Sequence, residues 1–344
     1  MKLTLRPQNR ALEVARGQTV LEAALAAHVN LPHSCKGGSC GSCRARLLAG
    51  RIDYPRGRPR GLSDAEIAEH YVLLCQAVPL SDLTVEAREI RSVTDVEIKS
   101  LPCRVERLER LAPDVMGVYL RLPAVEEFRF RAGQYLDVML PGERRRSFSI
   151  ASPPHDAGLI ELHVRRVSGG EFTVQVFESL SRGTLLRIEG PLGQFAYREP
   201  AADGPALLVA GGTGFAPVKS ILRHVLESGS RRPLYLYWGA RHEVDLYQHA
   251  WVLERVARFA SLHYVPVLSE PSADEARRFR TGLVHDALLA DFAALGDAEV
   301  FAAGPPALIE ALRSSLPAQG LDPERLYFDS FEYAPDALAR LPRQ

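Results

Sequence analysis

The pattern of apolar and polar positions changes twice along the chain. Near the start a short strand is predicted over Lys2–Arg6, followed by a turn near Gly17. Val20, Ala24 and Ala27 then fall on one stripe, which predicts a helix over Val20–Ala27 with Thr19 as its cap. Leu83–Ala87 predicts a closing strand, and strand, helix, loop and strand in this order suit a small β-grasp module. From Cys103 to about Pro200 short alternating segments take over. Met116, Val118, Leu120 and Leu122 share a face, as do Leu136, Val138 and Leu140, and then Ile160, Leu162 and Val164. Several short strands of period two predict a small antiparallel barrel, interrupted by a helical patch at Phe172, Val176, Phe177 and Leu180. From Pro205 the texture changes again. Apolar strands at Ala206–Ala210, Leu234–Trp238, Leu262–Leu268 and Val300–Ala302 alternate with helical stretches, one of which, Pro217–Glu227, carries Val218, Ile221, Leu222 and Val225 on one face. This alternation predicts a doubly wound parallel α/β domain.

The expected fold class is therefore multidomain, α+β followed by α/β. Its expected domains are residues 1–92, a linker over 93–102 ending in Leu101-Pro102, a barrel over 103–200 and an α/β domain over 204–344. A length of 344 residues agrees with two or three domains. Lys plus Arg and Asp plus Glu number 42 each, so no global field draws the chain to nucleic acid or to a membrane surface. Met1–Arg6 lacks the apolar core of a signal peptide, and no run approaches the roughly 18 apolar residues of a membrane span. A cytoplasmic protein is expected.

The first domain holds the most specific chemical signal. Cys35, Cys40 and Cys43 read Cys-x4-Cys-x2-Cys, and Cys75 follows in Leu73-Leu74-Cys75-Gln76. This is the spacing of a plant-type [2Fe–2S] ferredoxin. Two sulfide-bridged irons need four thiolates around a compact rhomb. One loop supplies three if it curls tightly, which Gly37, Gly38 and Gly41 permit. Structural zinc sites instead favour two separate Cys-x2-Cys pairs, and a disulfide framework belongs to short secreted chains. Cys103 stands outside the pattern and reads as a half-buried free thiol.

Two further clusters carry weight through their order. Gly133-Gln134-Tyr135, Arg146-Ser147-Phe148-Ser149 and Gly190-Pro191-Leu192-Gly193 lie within the barrel pattern. An Arg fork suits a pyrophosphate, Phe148 offers an edge to a ring system and Ser149 a hydroxyl to a ring nitrogen. In the third domain the strand Leu207–Ala210 runs into Gly211-Gly212-Thr213-Gly214-Phe215-Ala216-Pro217 and a helix. Glycines let a phosphate approach the backbone, and the helix start favours its charge. Gly304-Pro305-Pro306 follows a later strand, and two such turns at the carboxyl ends of parallel strands mark a ligand crevice.

With these motifs in this order, the chain resembles the ferredoxin–NAD(P)H reductase superfamily in its form with an N-terminal plant-type ferredoxin domain. That form includes CDP-6-deoxy-glucoseen reductase and the reductase components of oxygenases. The resemblance implies a [2Fe–2S] cluster on Cys35, Cys40, Cys43 and Cys75. It implies FAD on Arg146, Phe148 and Ser149, with the segment His163–Val167 (His163, Val164 and Arg165 among them) and Thr173 lining the flavin and its pyrophosphate. A nicotinamide nucleotide would lie on Gly211, Gly212, Thr213 and Gly214, with Gly304 and Pro305 beside it. An aromatic residue near the C-terminus often covers the flavin in this family, and within Tyr327–Tyr333 that would be Phe331, for which core packing is the competing reading. Ser149 and Phe331 would then be the residues nearest the reacting ring. The implied activity is electron transfer from NADH through FAD and the cluster to an electron-accepting partner protein. A non-catalytic redox sensor or scaffold is the alternative. Many relatives have Cys before the Gly-Pro-Pro turn, where this chain has Ala303. Glu270 after Ser269 would repel a 2′-phosphate and favours NADH over NADPH, whereas Arg241 and His242 pull the other way.

Three signals stand apart. Arg56, Arg58 and Arg60 form a basic loop, either simply solvated or docking an acidic electron acceptor. Gly169-Gly170-Glu171-Phe172 spells a tetrapeptide of diguanylate cyclases but lies inside the barrel pattern and reads as coincidence. His28 and His33 read as structural or surface residues.

Overall fold

A computed structural model describes residues 1–331 apart from 28, 30, 34, 35, 39, 40, 88–96, 143, 157, 168 and 199–203. The chain divides into two compact units, Met1–Val96 and Glu97–Gln344.

The first unit contains β1 (Lys2–Arg6), β2 (Arg10–Glu13), α1 (Val20–Ala26), β3 (Arg44–Ala49), β4 (Ile52–Asp53), α2 (Asp64–Ala68), β5 (Tyr71–Leu73), β6 (Val78–Pro79) and β7 (Leu83–Glu86). Five of these strands form a sheet in the order β2-β1-β7-β3-β5, with β1 parallel to β7 at its centre. The expected cap on α1 forms in full. Thr19 accepts from the Glu22 amide while Glu22 reaches back to the Thr19 amide, satisfying two otherwise orphaned donors. Val20, Leu21, Ala23 and Ala24 of α1 pack on Leu3, Leu5, Leu73 and Val85 of the sheet. This is the β-grasp arrangement, and it leaves the segment between α1 and β3 to carry three of the cysteines, with Cys75 just past β5.

The second unit opens with β8 (Lys99–Ala112), β9 (Val115–Arg121), β10 (Tyr135–Met139), β11 (Arg145–Ser149), β12 (Leu159–Arg165), α3 (Glu171–Glu178) and β13 (Leu185–Leu192). These strands run β11-β10-β13-β8-β9-β12, and a bridge between Ile150 and Leu162 joins the two ends into a barrel. The linker expected over 93–102 needs correction at its C-terminal end, because Lys99–Pro102 already belongs to β8 and pairs with β13. Leu101, Cys103 and Val105 alternate into the barrel core, so the inward pattern starts before Pro102. Pro102 lies beyond Arg104, where pairing with β9 begins, an edge position that tolerates a missing amide donor.

The chain continues through β14 (Ala206–Gly211), α4 (Phe215–Glu227), β15 (Leu234–Ala240), α5 (His249–Arg258), β16 (Leu262–Leu268), α6 (Glu275–Arg278), β17 (Arg280–Thr281), α7 (Val284–Asp291), β18 (Glu299–Gly304), α8 (Pro306–Ser315) and β19 (Leu326–Ser330). The sheet is parallel throughout, in the order β17-β16-β15-β14-β18-β19. Leu208 and Ala210 face one layer with Val218 and Leu222 of α4, while Leu207 and Val209 face the other with Leu288 of α7 and Leu312 of α8. Burial on both faces explains why β14 reads as an unbroken apolar run. The order reverses at β14, whose neighbours β15 and β18 come from opposite directions of winding, and this is where a doubly wound sheet opens a crevice. The strand β19 is absent from the sequence expectation, where Tyr327–Tyr333 figured only as an aromatic segment.

Candidate functional site

In the first unit the described part of the cysteine loop is tightly wound. Lys36, Gly38 and Gly41 all have positive φ. A Cβ on Gly38 would meet the Gln76 side chain at 2.8 Å and Pro59 at 3.1 Å, so only glycine fits against the strand end that bears Cys75. Gln76 Nε2 donates to the Lys36 carbonyl at 3.0 Å and lies 4.0 Å from Cys75 Sγ. The Leu74 amide donates to the Cys43 carbonyl at 3.1 Å, bringing the two cysteines onto adjacent backbone. Both thiols are buried and neither forms a disulfide. Tyr54 packs beside them and its hydroxyl accepts from the Leu73 amide; burial, with the neighbouring Cys43 and Cys75, raises its pKa. Two buried soft donors in a glycine-curled loop fit a thiolate-held cluster. Cys35 and Cys40 lie outside the described residues. Cys103, by contrast, sits in the barrel core, where burial pushes its thiol up to about 12, as an inert structural cysteine would be.

In the second unit four strand ends meet. Ser149 closes β11, and its Oγ lies 3.5 Å from Asp329 Oδ2 at the end of β19. The Phe331 amide donates to the Gly304 carbonyl at the end of β18 at 2.8 Å. Gly304 in turn abuts Gly211 at the end of β14: a Cβ on either would meet the other turn at 2.8–3.0 Å. Ser149, Phe331 and both glycine turns are thus brought together. Phe331 is half-buried against the adjoining core, so the structure leaves room for both of its expected roles. Phe148 packs on Phe172 at 5.5 Å between ring centres, which gives Gly169–Phe172 a structural use as the start of α3. Thr173 Oγ1 binds the Val167 amide at 3.1 Å and the Gly170 carbonyl at 3.0 Å, closing the loop after β12. Arg146 Nη1 donates to the Arg145 carbonyl at 2.9 Å.

The nucleotide turn has its own support. Gly212 adopts φ +54, and Gly214 approaches the Ala303 carbonyl so closely that a Cβ would stand 2.0 Å from its oxygen. Trp238, at the end of β15, donates from Nε1 to the Gly212 carbonyl at 3.0 Å and stacks on Phe215 at 3.8 Å. Pro217 occupies the first turn of α4, which begins at Phe215, two residues before the expected Pro217. Arg165, from the barrel, reaches this turn, with Nη1 3.3 Å from where a Gly212 Cβ would be. Its Nε and Nη2 are buried without a hydrogen bond, while Asp114 and Asp245 stand 3.2 and 3.7 Å away. Nε and Nη2 are thus ion-paired, and Nη1 is the guanidinium donor left over the glycine turn, where it fits an anionic ligand. Ala303 is fully buried and supplies no thiol.

A buried charge network, which sequence reasoning missed, joins barrel and α/β layers. Lys219 of α4 donates to both oxygens of Glu161 on β12 at 2.8 and 2.9 Å, and both side chains are almost wholly buried. Tyr119 and His163 also reach Glu161 Oε1, at 3.0 and 3.1 Å, and His163 Nδ1 accepts from Tyr247 at 2.9 Å. Burial alone would raise the Glu161 pKa, but His163 and Lys219 together hold it well below the carboxylate range. Burial lowers the His163 pKa, against the opposing pull of Glu161. Its ring is therefore committed to this network, and the part of His163 left to line a ligand is backbone. Lone lysines and glutamates on amphipathic elements give no signal of such pairing.

The comparisons agree with this geometry. Residues 3–80 match the 2Fe-2S iron-sulfur cluster binding domain, 102–197 the oxidoreductase FAD-binding domain and 208–314 the oxidoreductase NAD-binding domain. Protein RfbI of Salmonella typhimurium is 36% identical, over 94% of this chain and 94% of its own. The chain belongs to the ferredoxin–NAD(P)H reductase superfamily, in the form bearing a ferredoxin domain. The CDP-6-deoxy-L-threo-D-glycero-4-hexulose-3-dehydrase reductase of Yersinia pestis is 35% identical, over 91% of this chain and 93% of that protein. The crystal structure of Amycolatopsis cytochrome P450 reductase GcoB has a TM-score of 0.79 and 32% identity, over 96% of this chain and 98% of that one. This reductase is thus an NAD(P)H-dependent flavin and iron–sulfur oxidoreductase. Among the described residues no helix is long and apolar enough to cross a membrane.

Proposed function

We propose that the reductase takes electrons from NADH and passes them singly, from a cluster held by Cys35, Cys40, Cys43 and Cys75, to a partner enzyme. The dehydrase system named for the Yersinia relative and the cytochrome P450 named for GcoB indicate the class of partner. When bound, the flavin supplies two-electron acceptance and one-electron release, and the cluster a single-electron relay.

The chain's own residues bind and orient. Arg146, Phe148, Ser149, Thr173 and the backbone of His163–Val167 line the flavin, and Phe331 covers it. Gly211–Gly214 with Gly304 and Pro305 receive the nucleotide, and Arg165 presents Nη1, the donor not facing Asp114 or Asp245, to the nucleotide's charge. Asp329 fixes the Ser149 hydroxyl, the group nearest the reacting ring. The observation that carries this reading is the convergence of Ser149, Phe331, Gly304 and Gly211 at four strand ends. The preference for NADH rests on charge. Glu270 is exposed beyond β16, and the two basic residues that could hold a 2′-phosphate already face carboxylates, Arg241 at Asp245 (3.9 Å) and His242 at Glu275 (3.9 Å). The test is Cys43→Ala. Flavin reduction by NADH should persist while cytochrome c reduction is lost; equal loss of both would refute the division of labour.

A further inference from the structure

The loop between β4 and α2 lies against the cysteine loop at both of its ends. At its start, Tyr54 packs beside Cys43 and Cys75. At its close, the Gly61 amide donates to the Gly38 carbonyl at 2.8 Å and Pro59 is buried against Gly38. Between them stand Arg56, Arg58 and Arg60. Arg58 is engaged, pairing with Asp64 and donating to the Leu62 carbonyl at 3.2 Å, which pins the loop to the start of α2. Arg56 and Arg60 are exposed and, among the described residues, make neither a salt bridge nor a hydrogen bond. Of the acidic groups nearby, Asp64 pairs with Arg58 and Glu66 with Arg44, and Asp53, which accepts from the Tyr54 amide, is one negative charge against the two of Arg56 and Arg60. A chain of zero net charge therefore places uncompensated positive charge on the rim of its cysteine loop.

We infer that this rim is the docking face for the electron-accepting protein, and that the partner presents an acidic surface to Arg56 and Arg60. An electron leaving the cluster crosses the few residues around the cysteine loop, so the acceptor must face them. Charges on that face steer encounter more than they add affinity, and with no global field to compete, the local charge sets the preference. The inference rests on the electron-carrier reading above.

The test uses the holoenzyme with two acceptors of opposite sign, acidic cytochrome b5 and basic cytochrome c. At about 0.01 M salt, where screening extends over about 30 Å, R56E/R60E should slow cytochrome b5 reduction roughly tenfold and speed cytochrome c reduction. Both differences should vanish near 1 M salt, where screening falls to about 3 Å. R56K/R60K should behave as the parent, which separates charge from loop structure. Unchanged rates with both acceptors in R56E/R60E would overturn the docking face. Loss of binding to duplex DNA with unchanged cytochrome b5 reduction would overturn it in favour of a polyanion site. Failure of the parent to reduce either cytochrome from NADH would instead refute the electron-carrier reading.

Discussion

Among the described residues, replacing Lys219 with Met removes the only hydrogen-bond partner of Glu161 Oε2 and one of three at Oε1. Each lost bond is charge-assisted and about 1.5–3 kcal/mol, so their sum falls near the 3–5 kcal/mol typical of breaking a buried pair from one side. For a unit the size of Glu97–Gln344, each kcal/mol lowers Tm by about 2–4 °C, which predicts a fall of about 6–20 °C. The assay is calorimetry at a fixed, saturating FAD concentration, because ligand binding itself shifts Tm. Its pH dependence has a definite sign. In the parent, Glu161 is held low by His163 and Lys219, so its contribution is present above the unfolded carboxylate range and fades as pH falls through the folded value. In Lys219→Met the same burial acts unopposed by the lysine, and protonating Glu161 relieves the penalty. The Tm gap between parent and variant should therefore narrow from pH 8 to pH 5. Adding Glu161→Gln should restore most of the loss, as a double-mutant cycle would show. A gap under about 3 °C, or one that does not change with pH, would refute the reasoning.

Two other outcomes follow from the nucleotide side. Gly214→Ala places a methyl 2.0 Å from the Ala303 carbonyl oxygen and should cost at least about 3 kcal/mol, whereas Gly158→Ala, with nothing within 4 Å, should be near neutral; equal urea midpoints would contradict this. Glu270→Arg replaces a repelling charge with a phosphate partner and should raise the ratio of kcat/KM for NADPH over NADH by about tenfold, while an unchanged ratio would move the discriminating position elsewhere.

Much of the architecture was legible because its signals are local. The capping box at Thr19, the period-two strands of the barrel and the apolar run of β14 each express a backbone preference or a burial pattern within a few residues. The cysteine spacing and the glycine turns were legible for the same reason, since a loop's curvature is written in its glycines. The end of the linker was misjudged because Leu101-Pro102 looks like a break until β13 arrives to pair with it. β19 was missed because its residues matter only as an edge beside β18.

What the linear order alone determined was the kind of element at each place and the ligand chemistry each turn or loop could offer. The fold alone decided which distant groups share a site: Asp329 with Ser149, Arg165 with Gly212, Lys219 with Glu161, and the Arg56–Arg60 loop with Gly38. The reason is electrostatic. Whether a charge is solvated, paired or left unanswered depends on burial and on neighbours far along the chain, and those are fixed only when the sheets close.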